Sequence, residues 1–452
     1  MSSLSPQAIA KRNIRLFIAF RVFFNSRFYY PIFAIIFLDF GLTLEQFALL
    51  NVIWAITIIV AEVPLGAVSD VFGRKKLLIA TALLMVFEMV IWAFAPNTDP
   101  TVLFWILAIN RVLSGLGEAS ASGSDEALVY DSIEQANMKD QWSKVLAQTQ
   151  RVQSFGFMLA MVIGGAVYDP GIVQKFADLF GIQTTITQET TLRWPIYLST
   201  ITALITLYVT LRFVEPGDKH KSETKPPIRE ALKQTWEAGK WIGRTPFALI
   251  IICAGAFGDS VIRMFITMTS EYYRLIEFTP VYFGFIGSGI AALSMLTASL
   301  SKWLVDKHNP TFNFFFICFV ALLGFIGATF FVPYIGLLFV ILLFVAFSIL
   351  AFCISYYLNH ITKSSIRATV LSFKSMALNL GYGLIGFLYA LLVAYLRNNP
   401  ELAVDKDLLF KAGTGYFPWY FVAGAVCVVL FALWRCPHPT KAFREMDRGE
   451  KA

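Results

Sequence analysis

Six ionisable side chains set inside long apolar runs are the residues of this chain best placed to do chemistry. Arg27, Arg111 and Arg263 interrupt stretches otherwise suited to lipid, as do Glu118, Asp259 and Lys374. A charge at the centre of a bilayer costs about 2.5–3.5 kcal/mol on insertion scales, so each must meet a partner or a watery space. A guanidinium presents a donor fork that matches carboxylate and phosphate. A buried carboxylate near an arginine can take up and release a proton. Arg27, Arg111, Arg263 and Lys374 are therefore candidates to hold an anionic or zwitterionic solute. Glu118 and Asp259 are candidates to couple protons. Two bland alternatives stand beside these: Glu118 bonded to Ser114 or Ser122, and Asp259 paired with Arg263 four residues later on one helix. Tyr30 and Tyr357, with Tyr29, Trp54 and Tyr356, have rings able to stack on a solute, although with 43 Phe, 17 Tyr and 10 Trp most rings must serve packing.

The elements that position these groups are transmembrane helices. The chain has 452 residues, 57% of them hydrophobic and 15% charged, against about 25% charged in soluble domains. A hydrocarbon core about 30 Å thick needs about 20 apolar helical residues, and that window finds twelve spans, the first at 14–40. It is too long, and too interrupted by Arg21 and Arg27, for a cleavable signal peptide. Most of the 37 Lys and Arg fall on one side when both termini are placed in the cytoplasm, which sets that orientation. The net charge of +7 is explained the same way, with no nucleic-acid partner. The five cysteines show no CxxC spacing, and the four histidines sit in connections or at run edges. Neither metal nor other cofactor is indicated.

A polar segment at 215–245 divides the chain into halves, 1–214 and 246–452, and its "IREALKQTWEAGKWI" stretch has the spacing of an interfacial helix. The halves repeat. A shift of 236 residues lays "GLTLEQFALLNVIWA" over "EFTPVYFGFIGSGIA", Asp70 on Asp306 and Arg27 on Arg263. Two such arginines lining one wet cavity from both halves is the least costly arrangement.

After the second span the chain reads "GAVSDVFGRKK". Gly66 permits close helix contact, Asp70 can cap or pair at a helix end, Gly73 allows a tight turn, and Arg74 and Lys75 anchor a cytoplasmic face. The pattern resembles the loop signature of the major facilitator superfamily. Weaker echoes follow: "NRVLSGLGEA" around Arg111, and "GFMLAMVIGG" in the fifth span, which resembles the antiporter signature with Met161 where proline is usual.

The resemblance implies an all-α fold of twelve helices in two pseudo-symmetric bundles, working by alternating access as a monomer in the cell membrane. It also implies that the first, fourth, seventh and tenth spans line a cavity, and that the third, sixth, ninth and twelfth face lipid. Arg27 and Arg263 resemble the paired arginines of organophosphate/phosphate antiporters. Asp125 and Glu126 are expected to pair with Arg74 as a latch, joined by Glu62 and, in the second half, Asp306. Glu88, at the middle of the third span, has no role beyond the need to turn inward. The implied function is secondary active transport of a small organic solute, organophosphate- or carboxylate-like, coupled to protons or an exchange anion, and not enzymatic. The alternatives are a proton-coupled efflux pump for amphipathic cations and, last, a non-transporting sensor or scaffold.

Overall fold

A computed structural model describes residues 5–96, 99–121, 124–215, 228–362 and 367–449. Among them the chain is all helix and turn, without strands. The helices of the first half are α1 (Pro6–Asn25), α2 (Phe33–Asp39), α3 (Leu44–Phe72), α4 (Arg74–Ala93), α5 (Pro100–Ala121), α6 (Ser124–Gln135), α7 (Trp142–Tyr168), α8 (Pro170–Leu179), α9 (Gln188–Thr191) and α10 (Trp194–Arg212). Then come α11 (Ile228–Arg244), α12 (Pro246–Thr267), α13 (Thr269–Leu275), α14 (Pro280–Lys307), α15 (Pro310–Ala328), α16 (Gly336–Ile361), α17 (Arg367–Leu396), α18 (Pro400–Val404), α19 (Lys406–Thr414), α20 (Phe417–Arg435) and α21 (Pro439–Gly449). Eleven helical segments of the described residues are long and apolar enough to cross a membrane.

The remaining expected span, 14–40, is divided. Its helix stops at Asn25, resumes as a single 3₁₀ turn at Tyr30–Ile32, and becomes α2 at Phe33. Pro31 cannot donate to a preceding turn, and it disfavours helix at Tyr30. A break at membrane depth is tolerated only where the freed backbone groups find partners. Here α10 supplies them: the Ser26 carbonyl accepts from Thr202 Oγ1 at 3.2 Å, and the Phe28 amide donates to Ser199 Oγ at 3.1 Å. From α7, Gly164 admits the broken segment; a Cβ there would lie 1.9 Å from the Phe28 carbonyl oxygen.

The 236-residue repeat holds in the element boundaries. Helix starts at Leu44, Arg74 and Pro100 recur at Pro280, Pro310 and Gly336. Gly41 turns with φ 105°, and Glu277, its counterpart 236 residues on, takes the same left-handed region at φ 72°. That conformation is uncommon for a residue bearing a Cβ.

Contacts divide the chain into two compact units. Unit 1 comprises Met1–Leu42, Val60–Leu232 and Thr279–Ser288, and unit 2 comprises Thr43–Ile59, Lys233–Phe278 and Gly289–Ala452. Within unit 1, α7 meets the first turns of α14 backbone to backbone, and the Asp169 carboxylate both caps α8 and accepts from the Val281 amide at 3.3 Å. Within unit 2, α12 is the central helix, packed on α16, α17 and α20. An aromatic cluster of Phe265, Phe325, Phe417 and Phe421 closes one end of that core.

Candidate functional site

In unit 1 the charge of Arg27 is held at the break itself. Its Nε donates to the Phe24 carbonyl at 3.1 Å, one of the carbonyls that α1 leaves without an intrahelical partner. Its Nη1 donates to Glu88 Oε2 at 2.9 Å and reaches the Tyr29 hydroxyl at 3.5 Å. Glu88, on α4, is 1% exposed, and its second carboxylate oxygen lies 3.8 Å from Arg111 Nη2. Arg111 in turn donates to Asn110 Oδ1 at 2.9 and 3.1 Å and stands over the rings of Phe33, Phe37 and Trp92. Glu88, whose role sequence left open, lies between two arginines, one in the break after α1 and one on α5, and its carboxylate can neutralise both. The expectation that Arg27 and Arg111 present free guanidinium groups to a cavity is corrected here: they are 5% and 4% exposed and already engaged.

Glu118 lies on α5 about 10 Å from Arg111 by helical rise. It is exposed, and its side chain makes no hydrogen bond or ion pair with a described residue. Ser122 lies outside the described residues. Tyr30 is 40% exposed, edge-on to Tyr29 and near Phe157, so it has an open face.

The expected latch is wired differently. Arg21 Nη2 donates to Asp125 Oδ1 at 3.1 Å and Glu126 Oε1 at 2.7 Å. Arg74 instead pairs with Asp131 and donates to the Ala127 carbonyl at 2.6 Å. The pairing of Asp125 and Glu126 with Arg74 is thus replaced by separate ion pairs from Arg21 and from Arg74, all ending on α6. Gly73 turns between α3 and α4 with φ 94°. The carboxylate of Glu215, a residue that sequence reasoning missed, accepts from the Arg74 and Lys75 amides at 3.1 and 2.9 Å. An acid at a helix start satisfies orphan amides and complements the helix dipole. Glu62 is half-buried; the surroundings of Gly66 and the side chain of Asp70 lie outside what the structure describes.

In unit 2, Arg263 lies within continuous helix, because the chain interrupts α12 only at Met268. It pairs with Asp259 one turn earlier, donates through Nη1 to Asn379 Oδ1 at 3.0 Å, and stands 5.0 Å above the Tyr382 ring. Tyr382 meets Trp54 edge-on, at 6.5 Å. Unlike its repeat partner, the Arg263 side chain keeps 21% of its surface accessible. Lys374 is half-buried on α17, the helix that also carries Asn379 and Tyr382. Asn379 and Tyr382 were not foreseen; their spacing from Lys374 on one helix was the available signal. Tyr357, expected to stack on a solute, is 3% exposed; its hydroxyl accepts from Asn313 Nδ2 at 2.7 Å, and its ring packs on Phe247 and Phe443. Asp306 is exposed at the end of α14.

The sequence profile of the Major Facilitator Superfamily matches residues 15–386. The chain belongs to this superfamily. Among solved structures, the nucleoside transporter NupG is similar at TM-score 0.70 and 13% identity, covering 94% of this chain and 98% of that one. A bacterial homolog of the human lysosomal transporter Spinster gives TM-score 0.63 at 16% identity, over 98% of both chains. The xylose transporter XylE from E. coli gives 0.60 at 15% identity, over 95% and 98%. Identities this low establish a shared fold and no more. A search of curated proteins gave no match. As a major facilitator, the protein is a multi-pass membrane protein and a secondary transporter.

Proposed function

We propose that this major facilitator carries a small organic solute bearing a carboxylate or phosphate group, anionic or zwitterionic, by alternating access, and that Arg263 is the anchor for that group. One observation supports this above the rest. Arg263 is a partly accessible guanidinium whose second branch rests on a neutral amide, Asn379. A solute oxygen can replace Asn379 without stripping Arg263 of Asp259. The adjacent acid also offers a counter-charge to an ammonium, which favours a zwitterion over a polyanion. Tyr382 and Trp54 supply ring faces beside it. Glu118, open and unbonded among the described residues, is the proton-coupling group of this reading. The protein works as a monomer in the cell membrane, with both termini in the cytoplasm and a bundle on either side of the 215–245 linker.

Arg263→Gln tests the assignment in proteoliposomes. Loss of a charged hydrogen bond costs about 1.5–3 kcal/mol, or about 10- to 150-fold in apparent affinity. Unchanged uptake of every carboxylate and phosphate solute that the wild type carries would reject it. A thermal-shift screen identifies the class first: a ligand at a hundred times its Kd stabilises by about 2.7 kcal/mol. Stabilisation by lipophilic cations alone would instead support an efflux pump.

A further inference from the structure

Unit 2 carries a trough on one flank that transport chemistry does not use. Helix α15 packs tightly on α16, where Gly327 faces the Phe339 ring, but it meets α20 closely only at one end, through Phe325 against Phe417 and Phe421. Beyond that contact the small side chains of Cys318 on α15 and Ala425 on α20 leave space between the two helices. Two cavities of about 480 and 220 Å³ open there and share Phe314, Phe315 and Val429, so they form one trough. Its lining is almost wholly apolar, and its rims, Phe319 and Leu430, are 67% and 61% exposed. From Pro310 to Leu322 it runs about 18 Å by helical rise, comparable with the roughly 15 Å that one leaflet contributes to a hydrocarbon core about 30 Å thick.

The end lined by Cys436, Pro437 and Pro439 leads into α21. Exposed Lys307, Arg435, Lys441 and Arg444 follow within a few residues along the chain from the residues that line it, Arg435 donating through Nη2 to the Gly243 carbonyl at 3.0 Å; the acids beside them are Asp306 and Glu445, the latter 3.8 Å from Lys441. The hydroxyls of Thr311 and Thr440 stand 3.4 Å apart at the same end. Phe443, packed on Phe247 and Tyr357, fixes α21 there. The trough therefore joins an apolar channel one leaflet long to an excess of positive charge and two neutral hydrogen-bonding groups.

We infer that this is a binding site for one anionic phospholipid, with an acyl chain in the trough between α15 and α20 and its phosphate among the basic residues beside α21. Apolar burial holds the chain, and juxtamembrane Lys and Arg attract an anionic headgroup. Bulk lipid wetting the same flank would show neither a fixed number nor a headgroup preference.

Native mass spectrometry of the full-length protein tests the site, after incubation with phosphatidylglycerol or phosphatidylcholine in detergent. The wild type should retain one phosphatidylglycerol in preference to phosphatidylcholine. Ala425→Trp, which fills the trough, should lose it; Cys318→Phe does so from the opposite wall if the first variant fails to fold. Arg435→Gln with Lys441→Gln should keep a lipid but lose the preference for phosphatidylglycerol. Equal retention of both lipids by the wild type, undiminished phosphatidylglycerol in a folded trough-filling variant, or a lipid-free dimer disrupted by those same variants would each overturn the inference.

Discussion

At the scale of single residues, two arginines that the repeat places in register have different tasks. Arg27 is sealed against Glu88 and the open end of α1, whereas Arg263 keeps an accessible face. Their substitutions should separate. Arg27→Gln leaves Glu88 with Arg111 at 3.8 Å as its remaining partner. Breaking a buried pair by removing one member costs about 3–5 kcal/mol, so Arg27→Gln should lower the detergent-solubilised melting temperature while sparing the apparent affinity of whatever protein folds. Arg263→Gln should do the reverse. An equal loss of affinity in both would mean that Arg27 also touches solute. Glu118→Gln should make uptake insensitive to an imposed pH gradient, measured in proteoliposomes at fixed membrane potential; a retained gradient response would place coupling elsewhere. Sequence reasoning found all three charges, but not that Glu88 lies between Arg27 and Arg111. The three residues come from separate segments, and nothing in their spacing joins them.

At the scale of elements, the break after α1 is the feature from which the unit 1 site follows. It turns Arg27 out of helical register and brings its guanidinium back onto the Phe24 carbonyl. The break depends on α7 approaching without a side chain at Gly164. Gly164→Ala would set a methyl 1.9 Å from the Phe28 oxygen, so the segment after α1 must move. Such overpacking costs about 1–3 kcal/mol, and the expected result is a lower melting temperature together with slower uptake. A variant as stable and as active as the wild type would show that the break has room to spare. The α3–α4 turn makes a milder case. Glu215→Ala removes a carboxylate from two amides at the start of α4, a loss of about 0.5–2 kcal/mol in stability, to be read by thermal denaturation. Sequence reasoning marked this turn through Gly73 and Arg74. It missed Glu215 because the cap comes from the far end of the half, after α10.

At the scale of the whole molecule, the amino-acid sequence by itself determined the all-α membrane class, the repeat and the family. Those properties follow from composition and from local periods: apolar runs of about 20 residues become helices in lipid, because a helix satisfies all its backbone groups within one segment. A duplicated pattern carries its helix starts with it, as the 236-residue recurrence from Leu44, Arg74 and Pro100 to Pro280, Pro310 and Gly336 records. What only the tertiary structure decided is which charges stay available. Arg27 and Arg111 are spent on Glu88, Asp125 and Glu126 go to Arg21, Arg74 goes to Asp131, and Arg263 keeps one accessible face. Pairing of buried charges depends on distances between helices far apart in sequence, set by side-chain packing and close glycine contacts. Hydropathy counts a charge inside a membrane without revealing its partner.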